Sequence, residues 1–294
     1  MKVLITGGSG FIGQHLIPRI SGPHELFALV RDERQLATRT DCTPVVSDLS
    51  RPLDHRRLPA EIDIIIHLAQ ANVPFPEAAD ELFAVNLAST QQLLDYARSA
   101  GAARFILASS GDVYGRRTGT SKESDDARPS SYYAVTKYAS ELLVIAYSHF
   151  LQPCILRFFH PYGSGQDGRL IPKLAARLRR DEPIQLNNEG GPHLSPIFID
   201  DLCRAAELAM ASSYCGVLNI AGDGVISMRV LAEEIGRVLD INPTFHYSGE
   251  EAPDMSGDNS LMTQVLGSWS LVGLADGLSR ALKNGEGAGW ETDV

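Results

Sequence analysis

Five short, continuously apolar runs recur along the first part of the chain and constrain its fold more than any other feature. They are KVLIT (2–6), LFALV (26–30), IDIIIHLA (62–69), RFILASS (104–110) and CILRFF (154–159). Runs of aliphatic residues without polar alternation are typical of strands buried on both faces, as in a parallel sheet. Helical patterns separate the runs, most clearly over 78–100, where apolar residues follow a period of about 3.6. This alternation predicts an α/β fold, a doubly wound parallel sheet of the Rossmann kind.

The pattern changes after about residue 160. Here the sequence predicts helices over 169–181, 201–213 and 227–239, the last capped by Ser227, and a strand over 216–222. We expect an NAD(P)-binding Rossmann domain over 1–160, to which a later segment of about 197–222 returns. A smaller C-terminal α/β part over 161–282 is then mainly substrate-binding. Residues 283–294 have little to bury and indicate a loose tail.

Composition narrows the class of protein. The 294 residues are 44% hydrophobic and 21% charged, as in a soluble globular protein, and the net charge of −10 argues against nucleic acid or an anionic membrane as the main partner. Four scattered cysteines show neither CxxC spacing nor a Cys/His cluster, so we expect no metal site and no disulfide framework. No signal-peptide pattern or apolar run of transmembrane length is present, which predicts a cytoplasmic protein.

A glycine-rich turn follows the first predicted strand. VLITGGSGFIGQHL (3–16) places Gly7, Gly10 and Gly13 between a strand and a helix. Glycines there let backbone N–H groups approach a pyrophosphate, whose charge the helix N-terminus favours. This context predicts a dinucleotide site rather than an ordinary turn.

The end of the second strand bears on the choice of dinucleotide. An acid there would bind the ribose 2′-hydroxyl of NAD, whereas an arginine can pair with the 2′-phosphate of NADP. In FALVRDERQ (27–35) Arg31 comes first and Asp32 follows, so NADP(H) is the favoured cofactor and NAD(H) the alternative. Asp48, after the third strand, could face the adenine or be a turn residue.

YYAVTKYASE (132–141) predicts a catalytic tyrosine–lysine pair. A nearby ammonium stabilises a phenolate, and a serine hydroxyl can orient a substrate carbonyl. Residues four apart share a helix face, so Tyr133 and Lys137 are neighbours, whereas Tyr132 turns away. LASSGDVYG (107–115) ends a strand at the carboxyl edge of the sheet, and the residues alone leave Ser109 and Ser110 both available.

These motifs resemble the extended short-chain dehydrogenases/reductases, and within them the NAD-dependent epimerase/dehydratase family that acts on nucleotide sugars. HLAQA (67–71), VNLASTQQLL (85–94), RFFHPYGSG (157–165) and PIFIDDLCRA (196–205) add to the likeness, which covers residues 1 to about 282. The family register implies Ser110 as the catalytic serine beside Tyr133 and Lys137.

The resemblance implies a role for each residue. Tyr133 moves a hydroxyl proton, Ser110 binds the reacting oxygen, and Lys137 binds the nicotinamide ribose and lowers the pKa of Tyr133. The cofactor-binding set becomes Gly7, Gly10, Phe11, Ile12, Gly13, Arg31, Asp48, Leu49, Leu68, Ala69, Asn86, Tyr133 and Lys137. A homodimer is also implied, through a four-helix bundle of the helices at 78–100 and 132–150.

Departures from the family pattern bear on the substrate. Sugar 4,6-dehydratases of the family carry an Asp-Glu pair where this chain has Gly111 and Asp112, which disfavours dehydration. The asparagine of RxFNxYG is replaced by His160, and a phosphate-binding arginine by Leu194, leaving recognition of a nucleoside diphosphate open. The candidate substrate-binding residues are Gly111, Asp112, His160, Arg169 and His193.

Three functions follow. The first is 4-epimerisation of a nucleotide sugar through a transient 4-keto sugar. The second is NADPH-dependent reduction of a keto-sugar or other carbonyl. The third, a non-catalytic dinucleotide sensor, is disfavoured because a sensor needs no phenol beside an ammonium.

Overall fold

The structure, a computed structural model, describes residues 1–36, 39–250 and 252–283, and its largest element is a parallel sheet. The strands are β1 (Lys2–Thr6), β2 (Glu25–Val30), β3 (Thr43–Val46), β4 (Ile64–His67), β5 (Arg104–Ser110), β6 (Thr120–Ser121), β7 (Gln152–Phe158), β8 (Pro161–Tyr162), β9 (Ile184–Leu186), β10 (His193–Leu194), β11 (Ile197–Phe198), β12 (Gly216–Ile220), β13 (Ile226–Ser227), β14 (Phe245–Tyr247) and β15 (Ser256–Gly257). The tail was predicted over 283–294; Lys283 ends α9 instead, and residues 284–294 lie outside the described residues.

The helices alternate with these strands. They are α1 (Phe11–Ile20), α2 (Ala79–Leu82), α3 (Ser89–Ser99), α4 (Tyr132–Ala146), α5 (Leu170–Arg179), α6 (Ile199–Ala211), α7 (Met228–Leu239), α8 (Ser260–Leu266) and α9 (Leu274–Lys283). A π-helical segment, Phe83–Ala88, joins α2 to α3, so the helix predicted over 78–100 is continuous but locally widened.

Seven parallel strands form the central sheet in the order β12-β7-β5-β4-β1-β2-β3. The chain winds outward one way from β1 to β3 and the other way from β4 onward, which confirms the doubly wound fold. Thr6 and His67 are partners where β1 meets β4. The strand order reverses there, and ligands of open α/β sheets bind beyond the strand ends at such a point.

Alternate residues of the strands pack against helices on opposite faces of the sheet. On β1, Val3 and Ile5 join a core that includes residues of α1 and α6, whereas Leu4 joins a core that includes Leu93 and Leu94 of α3. All three β1 side chains are fully buried. Burial on both faces explains why the strand sequences are continuously apolar.

The later part of the chain adds helices and short strand pairs around the carboxyl edge of the sheet. β12 nevertheless lies beside β7 in the central sheet, so the chain returns to it. Ser227 caps α7 as predicted, its hydroxyl accepting from the Val230 N–H at 3.2 Å. The division into two domains stays a prediction. Within the described ranges, no helix combines the length and apolarity needed to cross a membrane.

Candidate active site

A cleft of about 1190 Å³ lies along the carboxyl edge of the sheet, where the fold places a ligand. Its predicted lining residues are Gly7, Gly10, Phe11, Ile12, Gly13, Arg31, Asp48, Leu49, Leu68, Ala69, Ser110, Asp112, Tyr133, His160 and Arg169. The structure thus brings together the glycine turn, the carboxyl ends of β2, β3, β4, β5 and β7, and the start of α4.

The glycine turn is shaped to admit a pyrophosphate. Gly7 has a positive φ of 70°, and a Cβ there would lie 2.8 Å from the Ala69 nitrogen. A Cβ on Gly13 would overlap the Gly7 carbonyl oxygen and lie 2.7 Å from the Gly8 Cα. Gly10 precedes α1 without a side-chain cap, so the first N–H groups of α1 face the cleft. These residues therefore fit a dinucleotide.

The ends of β2 and β3 form the far wall of the cleft. Arg31 borders it with an exposed side chain, whereas Asp32 turns to Arg34 in a 2.5 Å ion pair. Asp48 accepts hydrogen bonds from the backbone and hydroxyl of Ser50 at 2.9 and 2.8 Å. Of Arg31 and Asp32, Arg31 is therefore the one that lines the cleft.

The side chains of the two tyrosines that begin α4 have different surroundings, as helical spacing predicts. Ser131 caps the helix by accepting from the Ala134 N–H at 3.1 Å. The Tyr133 hydroxyl reaches into the cleft and donates to Gln70 Oε1 at 2.9 Å. Tyr132 instead stacks on Phe75, with ring centroids 4.7 Å apart.

The two serines that end β5 differ in their partners. The Ser109 hydroxyl is buried and donates to Glu141. The Ser110 hydroxyl contacts Asp112 Oδ2 at 3.1 Å and accepts from the Asp112 N–H at 3.2 Å. It also interacts with the Tyr133 hydroxyl, favouring the phenolate. The register from the family therefore selects the serine that faces Tyr133.

The protonation of Tyr133 and Lys137 departs from expectation. Burial raises the pKa of Tyr133 and the nearby Asp112 carboxylate raises it further, while the Ser110 hydrogen bond lowers it less. Burial also lowers the pKa of Lys137 to about 8. The pKa of Tyr133 is therefore raised overall, because desolvation of the phenol dominates, and the lowering contribution expected from Lys137 stays a prediction.

Two predicted site residues lie behind the cleft wall and support it. Lys137 is 1% exposed and follows Tyr133 by one helical turn. Asn86, in the π-helical segment, accepts from the Ala71 N–H at 2.8 Å and donates to the Ala71 carbonyl and Thr136 hydroxyl. π-helical segments frequently occur at functional sites, and this one places the Asn86 amide between β4 and α4.

Two predicted substrate residues are not brought to the cleft. Gly111 lies against the ring of Phe159, and a Cβ there would be 2.6 Å from Phe159 Cε1. His193 is exposed and contacts Asp254 at 3.0 Å, because β10 pairs with β13 away from the sheet edge. Neither residue lines the cleft, and the predicted role of each in substrate binding stays a prediction.

The remaining candidates, Asp112, His160 and Arg169, all line the cleft. Burial lowers the pKa of His160 to about 4, and its buried Nδ1 has no hydrogen-bond partner among the described residues. His160 also has a positive φ of 44°, uncommon for this residue type. Arg169 is exposed to the cleft and acts electrostatically on Asp112 and Tyr133. Burial raises the pKa of Asp112.

Sequence reasoning missed Gln70 and Glu141. Gln70 stands in HLAQA, so its motif is visible, but its contact with Tyr133 crosses 63 positions of the chain. Glu141 follows Lys137 at helical spacing, yet its bonds to Ser109 and Arg157 depend on the order of β5 and β7.

Comparison with known proteins identifies the family. The sequence model of the NAD dependent epimerase/dehydratase family matches residues 3–221, so the chain belongs to this family. A dTDP-glucose 4,6-dehydratase of Streptomyces griseus is 28% identical over 303 residues, covering 94% of this chain and 92% of the relative.

Two solved structures are also similar. UDP-glucuronic acid 4-epimerase from Bacillus cereus in complex with NAD has a TM-score of 0.84 and 25% identity, covering 96% of this chain and 95% of that one. MoeE5 in complex with UDP-glucose and NAD has a TM-score of 0.83 and 30% identity, covering 96% and 98%. Both complexes hold NAD, so these relatives give no support to the expected preference for NADP.

Proposed function

We propose that the chain is a nucleotide-sugar 4-epimerase that oxidises a sugar hydroxyl to a transient ketone and reduces it on the other face. The observation that carries this proposal is the placement of Ser110 and Tyr133 on a dinucleotide cleft, with Lys137 one turn behind. The names of the similar proteins support a nucleotide-sugar substrate.

The side chains divide the proton chemistry among them. When bound, the nicotinamide ring accepts and returns a hydride. Tyr133 takes the proton of the reacting hydroxyl and later returns it, and Ser110 donates to the reacting oxygen. Lys137 makes no hydrogen bond with any described residue, so its N–H groups remain available for ribose hydroxyls, and its charge stabilises the Tyr133 phenolate.

The substrate side favours a polar ligand with negative charge. The Arg169 guanidinium and the unpaired His160 Nδ1 provide groups for its oxygen atoms. Dehydration is less favoured although one relative is named a dehydratase, since Phe159 occupies the space beside Gly111 that an acid would need.

We propose NAD as the resident cofactor, on the strength of the two solved relatives. Arg31, exposed at the ribose end of the cleft, is the observation that keeps NADP as the alternative. The same arginine favours a second candidate function, reduction of a keto-sugar with exchange of NADPH at each turnover.

One experiment separates these functions. The purified protein is denatured and any released nucleotide is identified by mass spectrometry. Native protein is then incubated with UDP-glucose, UDP-glucuronate or dTDP-glucose while absorbance at 340 nm and the sugar proton NMR spectrum are recorded. An epimerase gives a C4 epimer without net change in absorbance. Consumption of added NADPH with a 4-keto sugar nucleotide, and no epimer, would establish the reductase instead.

We further propose that two copies associate through α4 and the helix formed by α2, the π-helical segment and α3. The outer surface of these helices exposes large apolar side chains, namely Phe83, Val135, Leu142 and Ile145. Phe150, just after α4, is 63% exposed. Large contiguous apolar surfaces are uncommon on monomers, so a second copy is the proposed cover. A cytoplasmic location likewise stays a prediction.

A further inference from the structure

A buried ion pair lies behind the cleft wall and takes no part in the proton transfers described above. Arg157 donates to Glu141 through Nη2 at 2.6 Å and Nε at 3.0 Å, and the Ser109 hydroxyl donates to the same carboxylate. Glu141 is 0% and Arg157 5% exposed. Ser109 and Arg157 are register partners on β5 and β7, so the sheet fixes both donors beneath α4.

Stability alone gives little reason for charges at this place. Desolvation offsets most of the attraction within a buried ion pair, and apolar residues of similar volume often serve as well. The pair does, however, fix a carboxylate in both position and charge. The role of the Glu141 carboxylate therefore depends on the groups that it faces.

Glu141 follows Lys137 by one turn of α4, so the two side chains share a face of the helix. Both are buried, and the Glu141 carboxylate raises the pKa of Lys137 against the lowering by burial. Burial and the Lys137 ammonium together lower the pKa of His67 on β4 to about 3. His67 therefore adds no charge at neutral pH.

Several elements contribute charged or titratable groups around Lys137. Tyr133 lies on α4 itself, Asp112 follows β5 on the cleft side, and Arg157 on β7 is neutralised by Glu141. With Glu141 charged, the buried groups Lys137, Arg157 and Glu141 carry one net positive charge. Without it, two buried cations would face each other, which disfavours the charged form of the lysine.

We propose that Glu141 is a positioning residue: clamped by Arg157 and Ser109, its carboxylate keeps the Lys137 ammonium charged behind Tyr133. The catalytic meaning of this inference rests on the proposed function, whereas its electrostatic core concerns this chain alone.

The test is a lysine titration of the protein without added dinucleotide. The chain has five lysines, Lys2, Lys122, Lys137, Lys173 and Lys283, so ¹³C/¹⁵N-lysine labelling gives a spectrum that Lys137→Arg can assign. In Glu141→Gln the Lys137 midpoint should fall by about one pH unit or more, the scale expected for loss of an adjacent opposite charge. Glu141→Asp, which keeps the charge, should shift it less.

Two further variants keep the result interpretable. Glu141→Gln with Arg157→Met removes one charge of each sign and leaves no unpaired buried arginine, so its midpoint should lie between those of Glu141→Gln and the unmodified protein. Glu207→Gln breaks the exposed pair with Arg19 and should leave Lys137 unchanged. The alkaline limb of the pH–rate profile should move to lower pH in Glu141→Gln, in step with the NMR midpoint.

The outcomes separate this inference from the proposed function. A Lys137 midpoint in Glu141→Gln, or in the double variant if the single one does not fold, that equals the unmodified value or lies above it would overturn the role of Glu141. A shifted midpoint in a protein that turns over no nucleotide sugar would reject the epimerase and leave the electrostatic role standing.

Discussion

Opposing interactions act on the pKa of the Tyr133 phenol. Burial and Asp112 raise its pKa, while the Ser110 hydroxyl favours ionisation. The phenol therefore stays protonated at neutral pH, with Gln70 accepting its hydrogen bond. Proton removal then depends on positive charge next to the ring, which makes the charge state of Lys137 a control on the reaction.

Replacing Tyr133 with phenylalanine should abolish proton transfer and leave the dinucleotide cleft intact, because only the hydroxyl is lost. We expect turnover to fall by about 10²–10⁴-fold, as for loss of a general acid–base group, with unchanged dinucleotide affinity by calorimetry. Tyr132→Phe is the matched control and should keep near-normal turnover. Retained activity in Tyr133→Phe would reject its role.

Arg31→Ala tests the ribose end of the cleft. A guanidinium gains charge-assisted hydrogen bonds only with the 2′-phosphate. The substitution should therefore weaken the binding of NADP by about tenfold or more and change the binding of NAD little. Direct titration of both dinucleotides measures the ratio. Equal effects on the two would show that Arg31 does not discriminate between them.

Because His67 is buried, we expect the fold to lose stability in acid. Its ring is buried between Thr6 and Thr90, and burial lowers its pKa to about 3. The unfolded chain binds this proton more readily, so stability rises with pH between about 3 and the ordinary histidine value of about 6.5. About 4 kcal/mol of unfolding free energy should therefore be lost as pH falls from 7 to 3.

Urea unfolding across this pH range, compared between the natural protein and His67→Gln, measures the contribution of His67. The variant should show a flatter acid limb, whereas His149→Gln, at an exposed position, should not. Parallel limbs in His67→Gln and the natural protein would show that other groups cause the acid sensitivity.

At the scale of elements, the close approach of α1 to the end of β1 organises the cofactor cleft. The turn between them allows this approach because Gly13 has no side chain to meet the backbone of Gly7 and Gly8. The N-terminus of α1 can then face the ligand at short range.

Gly13→Ala should force α1 away from the turn, since its Cβ would overlap the Gly7 carbonyl. Overpacking of this kind costs about 1–3 kcal/mol, and dinucleotide affinity should fall more than stability predicts. Urea denaturation and dinucleotide titration measure the two effects. Gly22→Ala, with no atom within 4 Å of the added Cβ, should change neither. Normal dinucleotide binding in Gly13→Ala would contradict this role of the turn.

At the scale of the whole molecule, α4 has two different faces. One side carries Tyr133 and Lys137 towards the cleft, and the other exposes Leu142 and Ile145. Association through that outer side would connect the rigidity of α4, and therefore the site, to the oligomeric state.

Leu142→Glu with Ile145→Glu should produce a monomer, because two carboxylates cannot be buried in an apolar interface without loss of several kcal/mol. Analytical ultracentrifugation measures the mass. Val225→Glu is the control, since Val225 is comparably exposed at 44% but lies outside the helical surface. An unmodified protein that sediments as a monomer, or a dimer in the double variant, would reject this interface.

The sequence patterns predicted those features that depend on local periodicity. The apolar runs became the core strands, and the spacing of Tyr133 and Lys137 selected the correct tyrosine for the cleft. Contacts between distant segments could not be predicted in this way, because no local period encodes the Tyr133–Gln70 hydrogen bond or the hydrogen bonds that hold Glu141. The position of His193 outside the cleft was unpredictable for the same reason, since it depends on the pairing of β10 with β13.

The ring of Phe159 lies between Gly111 and Gly257, each of which would clash with it if given a side chain. For enzyme engineering, this packing prevents the addition of a side chain at position 111 while the ring is present. Installing an acid at position 111, to give the chain the carboxyl pair of a dehydratase, would first require removal of the ring. An attempt to change the reaction should therefore begin at Phe159, which does not line the cleft, and refill its space before any catalytic group is introduced.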